Sequence, residues 1–115
     1  MQLSERRIGE VTVLDLAGKL TVNDDLRLLK ERVASLIIKG RRNIVFNLGE
    51  LSYVDSSGLG ELVACHTTAW RGGATVKLAN AGRRLQDLLV LTKLLTIFDA
   101  YESEEDALQS FQVAV

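Results

Sequence analysis

Proline is absent from this chain, and cysteine, histidine, methionine and tryptophan each occur once in 115 residues. A single cysteine makes no internal disulfide, and one cysteine with one histidine cannot supply a zinc ligand set. No apolar run approaches the ~20 residues that span a bilayer. The opening Met1-Gln2-Leu3-Ser4-Glu5-Arg6-Arg7 lacks a signal peptide's apolar stretch. The formal net charge is −1, so the chain carries no overall field to attract nucleic acid or an acidic membrane. The basic pairs Arg6-Arg7, Arg41-Arg42 and Arg83-Arg84 are balanced by acids. These absences lead to the expectation of a cytoplasmic protein.

What remains is the composition of an ordinary globule, with 47% hydrophobic and 25% charged residues. The length predicts one domain over residues 1–115, large enough to bury a core without metal or disulfides. Leu3–Ile8 and Val11–Leu16 read as strands joined by a tight turn at Gly9-Glu10, hence an antiparallel hairpin. The second strand is apolar on both faces and is expected to stop at Ala17-Gly18, followed by a loop over 19–23. Asn23 or Asp24 is placed to cap a helix whose inner stripe is Leu26, Leu29, Val33, Leu36 and Ile37 and whose stop is Lys39-Gly40. Asn43–Leu48 reads as a buried strand, and Ala74–Ala79 as another. Gly82 opens a helix with Leu85, Leu88, Leu89, Thr92 and Leu95 on one stripe, and Thr96-Ile97-Phe98 is a short strand candidate. Ser103 caps a last helix, with Asp106 three residues on and Ala107, Leu108 and Phe111 as its inner face. The order is ββαβαβαβα, an α/β class in which the short helix–strand alternation favours parallel pairing.

The chain is organised around Asp55-Ser56-Ser57-Gly58-Leu59-Gly60. A strand-like run precedes this stretch. A helical pattern follows it, through Leu59, Leu62, Val63, His66, Ala69 and Trp70 to a stop at Arg71-Gly72-Gly73. Hydroxyls and a carboxylate therefore stand where a helix begins, and their oxygens accept its orphan N–H groups. Two glycines in the first turn are poor helix formers, each costing ~1 kcal/mol relative to alanine in a helix interior. One reason to keep them is close approach of another molecule to a bare backbone.

Asp-Ser-Ser-Gly-Leu-Gly after a buried strand resembles the signature of the STAS-domain anti-sigma factor antagonists. The resemblance covers nearly the whole chain, including the glycine after the second strand and the short acidic final helix. It implies the STAS fold, a small mixed sheet of four to five strands with about four packed helices. It implies that Ser56, directly after the Asp, is phosphorylated by a partner kinase. It also implies a partner switch. The unphosphorylated form binds an anti-sigma factor and frees a sigma factor; that anti-sigma factor is an ATP-using serine kinase, and a metal-dependent PP2C-type phosphatase resets the system. The protein would itself be a substrate, not an enzyme, and would hold no cofactor. Family members often carry an Asp three residues after the glycine that ends the second strand, where this chain has Thr21, with acids following at Asp24 and Asp25. In the family this loop contributes to partner contact, so Thr21 and Asp24 join Asp55, Ser57, Gly58, Leu59 and Gly60 as expected contact residues. Gly58 and Gly60 would admit a partner to the backbone, Tyr53 and Leu59 would either flank the contact or belong to the core, and Ser57 would be a second cap rather than a second acceptor. The alternative within the same family is a stressosome-type scaffold subunit or the accessory subunit of a membrane lipid transporter.

The residues themselves weigh against other chemistries. A nucleophilic Ser56 needs a base within hydrogen-bond reach. The only histidine, His66, lies ten residues along the same predicted helix, ~15 Å away along its axis. The Gly-x-Ser-x-Gly nucleophile pattern and the Gly-x-x-x-x-Gly-Lys-Ser/Thr phosphate loop are both missing. Cys65 and His66 are adjacent and so point about 100° apart on a helix, unable to share a metal. Cys65 reads as a small buried hydrophobe, and Trp70 as core or helix-end packing. A phosphorylated Ser56 fits better, because a helix N-terminus tolerates the added negative charge.

Overall fold

The structure, a computed structural model, describes residues 1–111. Its elements are β1 (Gln2–Ile8), β2 (Val11–Leu20), α1 (Arg27–Ile38), β3 (Asn43–Val54), α2 (Ser56–Arg71), β4 (Thr75–Ala79), α3 (Arg83–Leu91), a single 3₁₀ turn (Leu94–Thr96), β5 (Asp99–Tyr101) and α4 (Glu104–Ser110). The five strands form one sheet in the order β1-β2-β3-β4-β5. β1 pairs antiparallel with β2 through the Gly9 turn, and every later pair is parallel. The expected ββαβαβαβα order is therefore the observed one.

The layers follow from handedness. Each step β2→β3→β4→β5 moves the chain one strand in the same direction, and strand–helix–strand crossovers are right-handed. The three crossover helices must then lie on one face. The main core agrees: Leu14, Leu16 and Leu20 of β2, Ile44, Phe46 and Leu48 of β3, and Val76 and Leu78 of β4 pack under Leu29, Val33, Leu36, Leu62 and Leu89. The alternate residues Val11, Val13, Val45 and Ala79 point to the opposite face, where Ala107 of α4 covers them. A sheet covered in this way explains why β2 reads as apolar on both faces.

Helix ends are set locally. α1 stops in a Schellman motif: the Arg41 N–H donates to the Leu36 carbonyl at 2.9 Å, the Gly40 N–H donates to the Ile37 carbonyl at 2.9 Å, and Gly40 adopts φ +82°. Ser103 caps α4, its Oγ accepting from the Asp106 N–H at 3.0 Å.

Five expectations need correction. β2 does not stop at Gly18. It passes through register shifts at Asp15/Ala17 and Gly18/Lys19, with Gly18 at φ +91°, and continues to Leu20 beside Val54. A glycine that reads as a stop is here a bulge. β3 likewise runs on to Val54. Neither Asn23 nor Asp24 caps α1: the residue before the helix is Leu26, which makes no side-chain cap. The last strand is Asp99–Tyr101, not residues 96–98; Thr96 closes the 3₁₀ turn and Phe98 is a core side chain. Trp70 is 70% exposed and is no part of the core.

Candidate functional site

The parallel strands end at one edge of the sheet, where the loops after β2, β3 and β4 converge. Asp55 stands at their centre. It is the N-cap of α2, in extended backbone, and its Oδ1 accepts the Gly58 N–H at 2.8 Å. Its Oδ2 accepts the Val22 N–H from the loop after β2 at 3.0 Å. Its own N–H donates to the Leu20 carbonyl at 3.2 Å. One residue thus fastens the end of β2, the following loop and the start of α2. The Val22 and Gly58 N–H groups, with a lesser contribution from that of Ser57, hold the Asp55 carboxyl below the ordinary carboxylate range.

Asp24 organises the neighbouring loop. Its Oδ2 accepts the Thr21 N–H at 3.0 Å and the Thr21 hydroxyl at 2.8 Å, and its Oδ1 accepts from the Met1 amino group at 2.9 Å. The Met1 ammonium, then the Thr21 hydroxyl, lower its pKa. Thr21 is nearly buried. Its hydroxyl and N–H are both taken up within the loop by Asp24.

Ser56 is the first residue of α2, and it is exposed. It lies on the rim of an open groove of about 690 Å³ between the end of β3 and the start of α3. Tyr53, Leu51, Leu88, Arg83 and Arg84 also line this groove. Among the described residues, neither the Ser56 nor the Ser57 hydroxyl makes a side-chain hydrogen bond, so Asp55 alone caps the helix and the second cap expected at Ser57 is not there. Gly58 is buried, and a Cβ on it would lie 2.0 Å from the Leu20 carbonyl oxygen. Its missing side chain makes room for β2, not for an approaching partner. Gly60 is exposed, and a Cβ there would meet nothing within 4 Å. Leu59 is 6% exposed and belongs to the core.

Among the described residues no histidine stands by Ser56, and the adjacent carboxylate of Asp55 is tied to backbone N–H groups. His66 is on the same helix, its ring edge-on to Phe98 with centroids 5.3 Å apart and its Nδ1 buried without a partner. Cys65 is fully buried, and burial, with a smaller effect of Glu61, pushes its thiol up to about 12. Among the described residues no three His, Cys, Asp or Glu side chains converge as a metal site. What the arrangement offers is a free alcohol at the positive end of a sixteen-residue helix, beside a fixed carboxylate.

Arg83 and Arg84 were legible only as a balanced basic pair. The signal that brings them to Ser56 is topological: the loops after neighbouring parallel strands β3 and β4 open on the same sheet edge.

Comparison with known proteins agrees with this geometry. The family model of the STAS domain matches residues 2–107. This chain belongs to the STAS domain family. It is 30% identical over 96 residues to the anti-sigma-B factor antagonist of Bacillus subtilis, an alignment covering 84% of this chain and 86% of that one. An anti-sigma factor antagonist from Mycobacterium paratuberculosis shares the fold with a TM-score of 0.84 at 18% identity, over 97% of this chain and 94% of the other. Unphosphorylated SpoIIAA, also an anti-sigma factor antagonist, superposes with a TM-score of 0.72 at 19% identity, over 98% and 100% of the two chains. The STAS anti-sigma factor antagonists are regulatory proteins, not enzymes, and the resemblance read from the hexapeptide is to the right family. No helix of the described residues is long and apolar enough to cross a membrane.

Proposed function

We propose that this STAS domain, residues 1–115, is a cytoplasmic anti-sigma factor antagonist switched by phosphorylation of Ser56. The observation that carries the reading is the placement of Ser56. Its alcohol is exposed at the first position of a long helix, on a groove rim, and among the described residues it has no histidine beside it and makes no side-chain hydrogen bond. The unmodified face docks an anti-sigma factor that is also a serine kinase. The kinase moves the γ-phosphoryl group of ATP to Ser56 Oγ: an O–P bond forms, the bond to the β-phosphate breaks, ADP departs and the hydroxyl proton is lost. A PP2C-type phosphatase hydrolyses that ester and restores the alcohol.

The physics favours a switch that leaves its host folded. Phosphate adds roughly −1.5 to −2 charges at pH 7, and the N-terminus of α2 tolerates them. A partner seated on the face meets new bulk and charge beside Asp55. Two like charges ~4–5 Å apart at an effective dielectric of 20 repel by roughly 3–4 kcal/mol before salt screening. Even half of that is more than a tenfold loss of affinity, since each ~1.4 kcal/mol is tenfold. Phosphorylated SpoIIAA superposes on this chain with a TM-score of 0.71, close to the 0.72 of its unphosphorylated form, so that relative keeps the fold in both states.

The test is incubation with the cognate kinase and ATP, then peptide mass mapping. The expected product carries one phosphate, on the peptide holding Ser56, and none forms on the Ser56→Ala variant. Phosphate on another residue, or none, contradicts the assignment.

A further inference from the structure

Ser56 shares its groove with two guanidinium groups that have no anion to bind. Arg83 and Arg84, both exposed, open α3 across the groove, and neither makes an ion pair among the described residues. Arg84 rests over Tyr53, its guanidinium carbon 5.5 Å from the ring centroid. Tyr53 precedes Ser56 by three residues, so Arg84 already reaches across the groove to the strand that delivers the serine. A contact of this kind at an exposed site is weak and easily exchanged for a stronger one. The acids on the groove are Asp55, whose two oxygens are taken by backbone N–H groups, and Asp87, one turn further along α3.

We propose that Arg83 and Arg84 form a receptor for the phosphate of modified Ser56, and that their pairing with it closes the groove. The proposal rests on Ser56 being the phosphorylated residue and adds what the phosphate does next. A guanidinium presents paired N–H donors that match phosphate oxygens, and the bonds are charge-assisted. Arg84 leaves the Tyr53 ring and swings to the phosphoserine. The modified chain then loses its docking surface twice: the rim carries an anion, and the groove is crossed by the arginines that were its far wall. This also assigns a role to a basic pair that the sequence leaves without one.

The experiment uses the full chain with phosphoserine installed genetically at position 56, so no kinase is required. The second ionisation of the phosphate is followed by phosphorus NMR in this protein and in the Arg83→Gln, Arg84→Gln double variant. The guanidinium groups favour the dianion, so the midpoint is expected about half a unit or more lower with the arginines than without them. Arg84→Lys, which keeps the charge but loses the paired donors, is expected in between, and serves if the double variant does not fold. The Arg84 Nε–H resonance is expected to shift on phosphorylation. Equal midpoints in the three proteins, or an unmoved Arg84 resonance, overturn the proposal. Failure here leaves the kinase mapping untouched, and a kinase that ignores Ser56 leaves this titration readable, so the two readings fail separately.

Discussion

The carbonyl oxygen of Leu20 occupies the space that any side chain at Gly58 would need, at 2.0 Å from the position of its Cβ. This contact sets how closely the end of β2 approaches the start of α2, and so where Ser56 is displayed. The obstructing atom is backbone and cannot rotate away. Gly58→Ala is expected to destabilise the fold by about 3 kcal/mol, the upper range for overpacking. Gly60→Ala, two residues on with nothing in its way, is expected to stabilise by ~0.5–1 kcal/mol through helix propensity. Urea denaturation of the two variants checks the opposite signs.

Asp55 joins the loop after β2 to α2 through two backbone N–H groups. Its pKa is lowered on folding. A carboxyl of this kind contributes stability that is fully present above its unfolded pKa of ~3.9 and is lost as the pH falls through the lower folded value. Asp55→Ala is expected to lower Tm by several degrees at pH 7 and by progressively less below pH 4. Thermal melts across that window read the difference, and a gap constant down to pH 2 would exclude the carboxylate as its source.

Asn47, on the sheet face away from α1–α3, links β2, β3 and the residue after β4 through its side-chain amide. Its Nδ2 donates to Asp15 at 2.8 Å, and its Oδ1 accepts the Gly49 N–H at 3.2 Å and the Asn80 side-chain amide at 3.0 Å. Asp15 is held in turn by Arg6, at 2.6 and 2.8 Å. Asn47→Ala strands those partners and is expected to cost about 1–3 kcal/mol. Amide exchange would rise first at Gly49 and around Asn80.

Cys65 is sealed on the buried side of α2, with its thiol pushed up to about 12. It is expected to resist a thiol-reactive disulfide at pH 8 in the native protein and to react at once in denaturant. Fast native labelling would show that α2 opens.

Much of this was legible in the sequence, for identifiable reasons. The period of Leu29, Val33 and Leu36, the cap at Ser103 and the glycine at position 40 are local signals, and local physics decided them. The hexapeptide placed the strand-to-helix junction correctly. What could not be read depends on distant partners. Gly18 stops a strand in isolation, but β3 is long enough to carry β2 past it as a bulge. Gly58 looks like an opening for a partner until Leu20 is seen to fill it. The bonds of Thr21 to Asp24 depend on a loop conformation that no local pattern announces. Arg83 and Arg84 look like a neutralised pair until parallel pairing brings the β4–α3 loop to Ser56. Trp70 falls on the apolar side of a helical wheel, yet its neighbour Ala69 takes the buried position and Trp70 is left in solvent.

The central claim is that one alcohol at the head of α2 governs docking. It is tested most directly by titrating the cognate anti-sigma factor with the unmodified chain, with Ser56→Ala and with the chain carrying phosphoserine at 56. The account predicts equal affinity for the first two and a loss of about tenfold or more for the third. Equal binding by all three would contradict it and would point to a constitutive scaffold instead.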